Sequence, residues 1–163
     1  MNQKESDKYY INVAQLCAQN SYAEKLKVGA IIVKDNQIIS DGFNGTPSGL
    51  SNECEDKRCM SCFCCNTNAS SKINSNCKNC QYLDIHTKPE VLHAESNAIL
   101  KCAKYGKATY GSTLYTTHSP CIECAKLIIQ AGIKRVVYLE PYHKTNGLDL
   151  LKCVGVSVEQ FNN

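Results

Sequence analysis

The sequence predicts an α/β fold, a mixed β-sheet with helices on both faces, formed as one domain over residues 1–163 with an insert at about 50–89. Three features carry that expectation. Two β-branched runs lie side by side with a two-residue break, which reads as a hairpin. From residue 93 onward, helical and strand patterns alternate at the spacing of a sheet with covering helices. Between these regions, Leu50 to Pro89 shows no apolar period and reads as an insert outside the core.

The first element, over residues 5–19, places Tyr9, Val13, Leu16 and Cys17 at spacings of three to four and predicts an amphipathic helix. VGAIIVK (28–34) and QIISDGF (37–43) follow as strands around the turn Asp35-Asn36. GFNGTPSG (42–49) is a loop by its Gly, Pro and Asn content. After the insert, HAESNAILKCAKYG (93–106) reads as a helix ending at Gly106, STLYTTH (112–118) as a strand, and CIECAKLIIQAG (121–132) as a helix ending at Gly132. RVVYLE (135–140), a helix around LDLLKCVG (148–155) and the strand VSVEQF (156–161) complete the chain.

At 163 residues with 43% hydrophobic side chains, the chain can bury one good core. A net charge of +3 is too mild for a nucleic-acid surface, and no apolar stretch approaches the length of a membrane span. The N-terminus is charged where a signal peptide needs an apolar run, so a cytoplasmic protein is expected. In a reducing compartment twelve cysteines point to metal ligands or buried thiols rather than disulfides.

Two short motifs carry the chemistry: His93-Ala94-Glu95 and Pro120-Cys121-Ile122-Glu123-Cys124, each opening a predicted helix. Cys121 and Cys124 share the first turn of theirs, where the helix N-terminus favours thiolates, and Pro120 suits a helix start. His93 adds a neutral nitrogen, giving zinc three protein ligands and leaving the fourth tetrahedral position open, as in catalytic sites. Two thiolates offset the metal's charge, so a neighbouring base becomes important, and Glu95 fits that role. Residues two apart do not share a helix side, so His93 and Glu95 can cooperate only if both project from the helix N-terminus. Separately, a His-x-Glu is common by chance and a Cys-x-x-Cys can be a redox pair or half of a structural zinc site. In this order, each after a loop or strand, they form the signature of zinc deaminases.

At these residues the chain resembles the cytidine deaminase superfamily, and more closely its deoxycytidylate deaminase branch. KVGAIIVKDNQIISDGFNGTPSG (27–49), HAESNAIL (93–100) and SPCIECAKLIIQAGIKRVVY (119–138) carry the closer likeness. The resemblance implies a three-layer α/β/α sandwich around a five-stranded mixed sheet. It implies zinc-dependent conversion of dCMP to dUMP and ammonia, a step of pyrimidine nucleotide biosynthesis that supplies dUMP for thymidylate synthesis. It also implies that Asn44 bonds the sugar 3′-hydroxyl and that backbone groups at Ala94 and Ser119 read the cytosine edge. From the residues alone, Asn44 in a Gly-rich loop better suits a left-handed backbone position, and only the resemblance favours a contact to the sugar. For the 5′-phosphate the candidates are N–H groups near Gly45 and the Tyr142-His143-Lys144 stretch. Members of this branch are homo-oligomers, often hexamers, activated by dCTP and inhibited by dTTP with Mg²⁺. Lys25 and Lys27 resemble basic positions that could meet an effector's phosphates, or else form a charged helix-to-strand turn.

The insert holds Cys59-x-x-Cys62 and Cys77-x-x-Cys80, with Cys54, Cys64, Cys65 and His86 as further potential ligands. A segment without apolar periodicity cannot offset its ordering entropy by burial, so a second, structural zinc is expected there. Two rival functions remain on the residues alone. One is another deaminase of the same superfamily, acting on free cytidine, dCTP, a pterin or riboflavin precursor, or a tRNA adenine. The other is a zinc-ribbon-like nucleic-acid-binding module, which lacks the expected run of basic and aromatic residues and leaves Glu95 without a purpose.

Overall fold

The structure, a computed structural model, describes residues 2–59, 83–142 and 145–162. Helix α1 (Gln3–Ala18) is followed by the hairpin β1 (Gly29–Lys34) and β2 (Gln37–Phe43), then by the short strands β3 (Glu55–Cys59) and β4 (Leu83–Thr87). Helix α2 (Ala94–Lys104), β5 (Thr113–His118), α3 (Ile122–Gln130), β6 (Arg135–Glu140), α4 (Asn146–Cys153) and β7 (Ser157–Gln160) complete it. Five strands form one mixed sheet in the order β2-β1-β5-β6-β7. β1 runs antiparallel to β2 and β5, whereas β5, β6 and β7 are parallel. This is the expected three-layer sandwich.

Alternation along the strands divides the core. Ala30, Ile32, Leu114 and Val136 face α2, α3 and α4, where they meet Ala94, Ala98, Ala125, Ile128 and Leu151. Ile31, Val33, Tyr115 and Val137 face α1, where they meet Tyr10, Ile11 and Ala14. The side-chain period of two thus commits each β-branched run to both layers. Asp35 and Asn36 have φ of 50° and 60°, the left-handed pair that a two-residue hairpin loop demands. Gly106 and Gly132 also have positive φ just beyond α2 and α3, ending them as the sequence predicts.

Three expectations need correction. Helix α1 forms, but it buries Asp7, Tyr10, Ile11, Ala14 and Ala18, while Tyr9 and Leu16 lie more than half exposed. The buried carboxylate explains the rotated face: Arg135 holds Asp7 through two 2.8 Å contacts and Tyr115 donates its hydroxyl at 2.8 Å. The insert is not wholly outside the packed structure. β3 and β4 pair antiparallel as a separate ribbon, and Cys54 is buried with Ala23 and Val91. Finally, Pro120 precedes the cap of α3 rather than opening its first turn, since Cys121 is the N-cap residue. Among the described residues no helix is long and apolar enough to cross a membrane.

Candidate active site

The site forms at the C-terminal edge of β5 and β6, where the chain turns into α3 and where α2 begins. Ligand sites in open α/β sheets lie outside the carboxyl ends of strands for the same reason: loops and helix N-termini converge there. Leu92 pairs with Gly45 through two backbone hydrogen bonds of 2.9 and 3.0 Å, and Asn97 Nδ2 donates to the Phe43 carbonyl at 2.7 Å. These bonds fix the start of α2 against the loop after β2. Gly42 allows the approach, because a Cβ there would lie 2.3 Å from the Ala94 carbonyl oxygen. Gly147 does the same for α3. A Cβ on it would lie 2.2 Å from the Pro120 carbonyl oxygen, so α4 presses on the turn that presents Cys121.

His93 and Cys121 are the N-cap residues of α2 and α3, with extended backbones and no side-chain capping bond. Their side chains turn toward each other instead. His93 Nδ1 lies 3.4 Å from Cys121 Sγ and 3.4 Å from Cys124 Sγ, and the three ligand atoms all fall within 4.8 Å of one another. A tetrahedral zinc with ordinary Zn–N and Zn–S bonds imposes N···S separations of about 3.5 Å, so these residues fit the ion. Contact with Cys124, and then with His93, holds the Cys121 thiol down to about 3, while proton sharing with Cys121 and burial push Cys124 up. Two thiols this close to each other and to an imidazole form a donor set from which a divalent cation would displace protons. Hydrogen bonding to Cys121 raises His93.

Glu95 meets the geometric demand of the motif. It sits in the first turn of α2, is buried, and places Oε2 3.6 Å from Cys124 Sγ. Burial raises its carboxyl above the ordinary carboxylate value, which suits a group that must both take and give a proton near neutral pH.

Beside these groups lies a cavity of about 370 Å³, within the size range of small-ligand sites. Asn44, Ala94 and Ser119 all line it, together with Lys25, His118 and Tyr142. Asn44 ties down the cavity wall: its Oδ1 accepts from Val28 N–H at 2.8 Å and its Nδ2 donates to the Leu26 carbonyl at 2.8 Å. One amide proton and one lone pair remain beyond those two bonds. The Ser119 N–H donates to the Glu140 carbonyl at 2.9 Å, so of its backbone groups the carbonyl remains to read a base. Its hydroxyl accepts from Tyr142 N–H at 2.7 Å. Lys27 does not line the cavity.

His118 is a lining residue that sequence reasoning missed. Thr117 Oγ1 accepts from Gly29 N–H at 3.2 Å and lies 3.1 Å from His118 Nδ1, and burial lowers the imidazole's pKa. Its position at the C-terminal end of a strand, directly before the Pro-Cys turn, was the available signal. Thr87 and Lys25 were also unassigned to this cavity, and Thr87 comes from the insert. Cys62, Cys64, Cys65, Cys77, Cys80, His143 and Lys144 lie outside the described residues, as does the side chain of Cys59. Of the other candidates for a second metal, Cys54 is a buried thiol whose Sγ lies 3.6 Å from the Asn52 carbonyl oxygen, and His86 pairs with Asp84 at 2.6 Å.

A buried carboxylate beside a His/Cys/Cys group at two helix N-termini defines the zinc-dependent class of base deaminases. Residues 4–140 match the family model for the cytidine and deoxycytidylate deaminase zinc-binding region, and the chain belongs to that family. It is 38% identical over 156 residues to ComE operon protein 2 of Bacillus subtilis, covering 94% of this chain and 70% of that protein. It is 35% identical over 159 residues to the deoxycytidylate deaminase of Homo sapiens, covering 94% and 78%. The crystal structure of dCMP deaminase from the cyanophage S-TIM5 in complex with dCMP and dUMP superposes with a TM-score of 0.77 at 38% identity, covering 98% of each chain.

Proposed function

We propose that this chain is a single-domain, zinc-dependent deaminase that hydrolyses dCMP to dUMP and ammonia. The observation that carries the reading is the placement of His93 Nδ1 at 3.4 Å from both cysteine sulfurs, with the buried Glu95 carboxylate 3.6 Å from Cys124 Sγ. His93, Cys121 and Cys124 would hold the zinc. When bound, the ion supplies Lewis acidity that makes water nucleophilic at neutral pH. Glu95 takes a proton from the attacking water and delivers it to N3 of cytosine as oxygen bonds to C4. Glu95 then takes the second proton from the new C4 hydroxyl and passes it to the amine, so that the C4–N bond breaks to leave the C4 carbonyl and ammonia. The Ala94 N–H at the start of α2 and the Ser119 carbonyl read the base edge, and the remaining Asn44 amide proton meets the 3′-hydroxyl.

The likeness to a dCMP deaminase crystallised with dCMP and dUMP supports the monophosphate as substrate. Homo-oligomers regulated by dCTP and by dTTP with Mg²⁺ belong to the same proposal, as what the sequence resemblance to the deoxycytidylate deaminase branch implies. A second, structural zinc in the insert is part of the same proposal and rests on the sequence spacing of Cys59-x-x-Cys62 and Cys77-x-x-Cys80. The deciding experiment measures zinc content and ammonia release from deoxycytidine, dCMP and dCTP. Preference for dCMP with zinc bound is the expected result. Preference for dCTP or deoxycytidine would transfer the activity to another cytosine compound, and no release from any of them would overturn it.

A further inference from the structure

We propose that His118 is a second hydrogen-bond donor to the 3′-hydroxyl of the substrate, set across from Asn44, with its ring proton fixed on Nε2 by the Thr117 hydroxyl. The proposal deepens the dCMP deaminase reading and rests on it. In the sheet order β2-β1-β5, the start of β1 lies between two strand ends: Gly29 pairs with Phe43, the last residue of β2, and Ala30 pairs with Thr116 near the end of β5. Asn44 follows the first of these ends and His118 closes the second. Both side chains are anchored on successive amides of the segment between them. Asn44 Oδ1 accepts from Val28 N–H at 2.8 Å, while Thr117 Oγ1 accepts from Gly29 N–H at 3.2 Å and meets His118 Nδ1 at 3.1 Å. Successive amides of an extended chain point to opposite sides. Asn44 and His118 therefore flank Val28, and all three line the cavity beside His93 and Glu95.

The tautomer follows from the hydroxyl. Thr117 is buried, its oxygen already accepts from Gly29, and among the described residues His118 Nδ1 is the one acceptor its own hydrogen reaches. A buried hydroxyl hydrogen left without an acceptor is costly, so it goes to Nδ1 and the neutral ring carries its proton on Nε2. Burial lowers the imidazole's pKa and favours the same neutral form. No described residue accepts from Nε2. The cavity wall thus offers one ring N–H on the β5 side. On the β2 side it offers the amide proton and the lone pair that Asn44 keeps beyond its two backbone bonds. In a 2′-deoxynucleoside 5′-monophosphate the 3′-hydroxyl is the sugar's sole free hydroxyl. It accepts two hydrogen bonds and donates one, which matches the three groups left over on either side of Val28.

The test compares zinc-loaded wild type, His118→Leu and His118→Gln, each with dCMP and with the dCMP analogue that lacks the 3′-hydroxyl. Loss of one neutral hydrogen bond predicts a fall of about 3- to 10-fold in kcat/KM on dCMP for His118→Leu, carried by KM. On the analogue the same substitution should cost nothing, because the partner is already absent. Where turnover of the analogue is too slow to follow, its inhibition constant against dCMP gives the same comparison. His118→Gln, which restores a side-chain N–H at similar reach, should recover most of the dCMP activity and leave the analogue unaffected. Nitrogen NMR of the wild-type imidazole, assigned by the signals missing from His118→Gln, should show a bare Nδ1 and a protonated Nε2. An equal fall on both compounds would overturn the assignment by making His118 a general wall of the cavity. So would an unchanged kcat/KM on dCMP, or a ring proton found on Nδ1. A wild type inactive on dCMP would instead sink the deaminase reading itself.

Discussion

The two faces of the sheet are held together by different physics. On one, α1 alone covers the strands, and its contacts include a buried polar cluster in which Asp7 meets Tyr115 and Arg135, with Arg135 also bound to Glu159 at 2.7 Å. On the other, α2, α3 and α4 pack through small apolar residues such as Ala94, Ala98 and Ala125, and through glycines that admit backbone contact. The candidate catalytic groups all belong to the second face. Close packing there converges two helix N-termini on one point, while the charged face closes the sandwich from behind. Substitutions should therefore separate: those on the α1 face should cost stability, and those on the α2–α3 face should cost zinc or turnover.

The largest effect should come from Glu95→Gln, which keeps shape and burial but cannot carry a proton. Turnover of dCMP should fall by about 10²- to 10⁴-fold while zinc content and Tm hold. Steady-state kinetics beside metal analysis would check it, and near-normal turnover would remove Glu95 from the mechanism. On the opposite face, Asp7→Asn should destabilise the fold by about 3 kcal/mol, because it leaves Arg135 poorly compensated in a partly buried position. Its zinc content and its kcat on dCMP below the melting transition should match wild type. A loss of zinc without loss of stability would erase the contrast between the faces.

Gly147→Ala tests how tightly the second face is built. Its Cβ would collide with the Pro120 carbonyl and with the Cys121 backbone, so the turn that presents Cys121 must move. Displacing a ligand's support typically costs about 10- to 100-fold in metal affinity, and zinc competition against a chelator would read it. Unchanged affinity would show that α4 yields instead of the metal turn.

Much of this division was legible in the residues, and the exceptions have a common cause. The Asp35-Asn36 hairpin and the helix ends at Gly106 and Gly132 follow from local chemistry, and the His93, Cys121 and Cys124 group is legible because its two motifs match the zinc deaminase signature. The face of α1 is not. Asp7 is buried because Arg135, 128 residues away, neutralises it, and no window of sequence contains both. The β3–β4 ribbon was missed because EDKRC and LDIHT pair with each other without a sheet face to bury, so neither run shows clean alternation. Gly147 escaped notice for a related reason: at the start of a helix it looks like punctuation, and only the fold brings Pro120 against it. Sequence thus reported the reactive groups more completely than the contacts that position them.

The smallest expected effect is in acid. Burial would push the Asp7 carboxyl up, but hydrogen bonds from Arg135, Tyr115 and Gln3 outweigh it and hold the group below its ordinary 3.8. A carboxylate with a depressed folded-state pKa contributes stability that is complete above the unfolded value and is lost as pH falls through the folded one. Between those values the unfolded chain binds the additional proton, so stability declines as pH drops below about 4. One such group limits the slope to about 1.4 kcal/mol per pH unit. Glu159 is shifted the same way by Arg135, but its half-exposed carboxylate adds less. Protonation at the zinc ligands also weakens the protein in acid, and it does so equally in wild type and in Asp7→Asn. The difference between their denaturation free energies therefore isolates the α1 face: it should be constant above about pH 5 and shrink below about pH 4. A difference that stays constant down to the point of unfolding would mean that the Asp7–Arg135 contact does not hold the carboxylate ionised, and the electrostatic account of that face would fall with it.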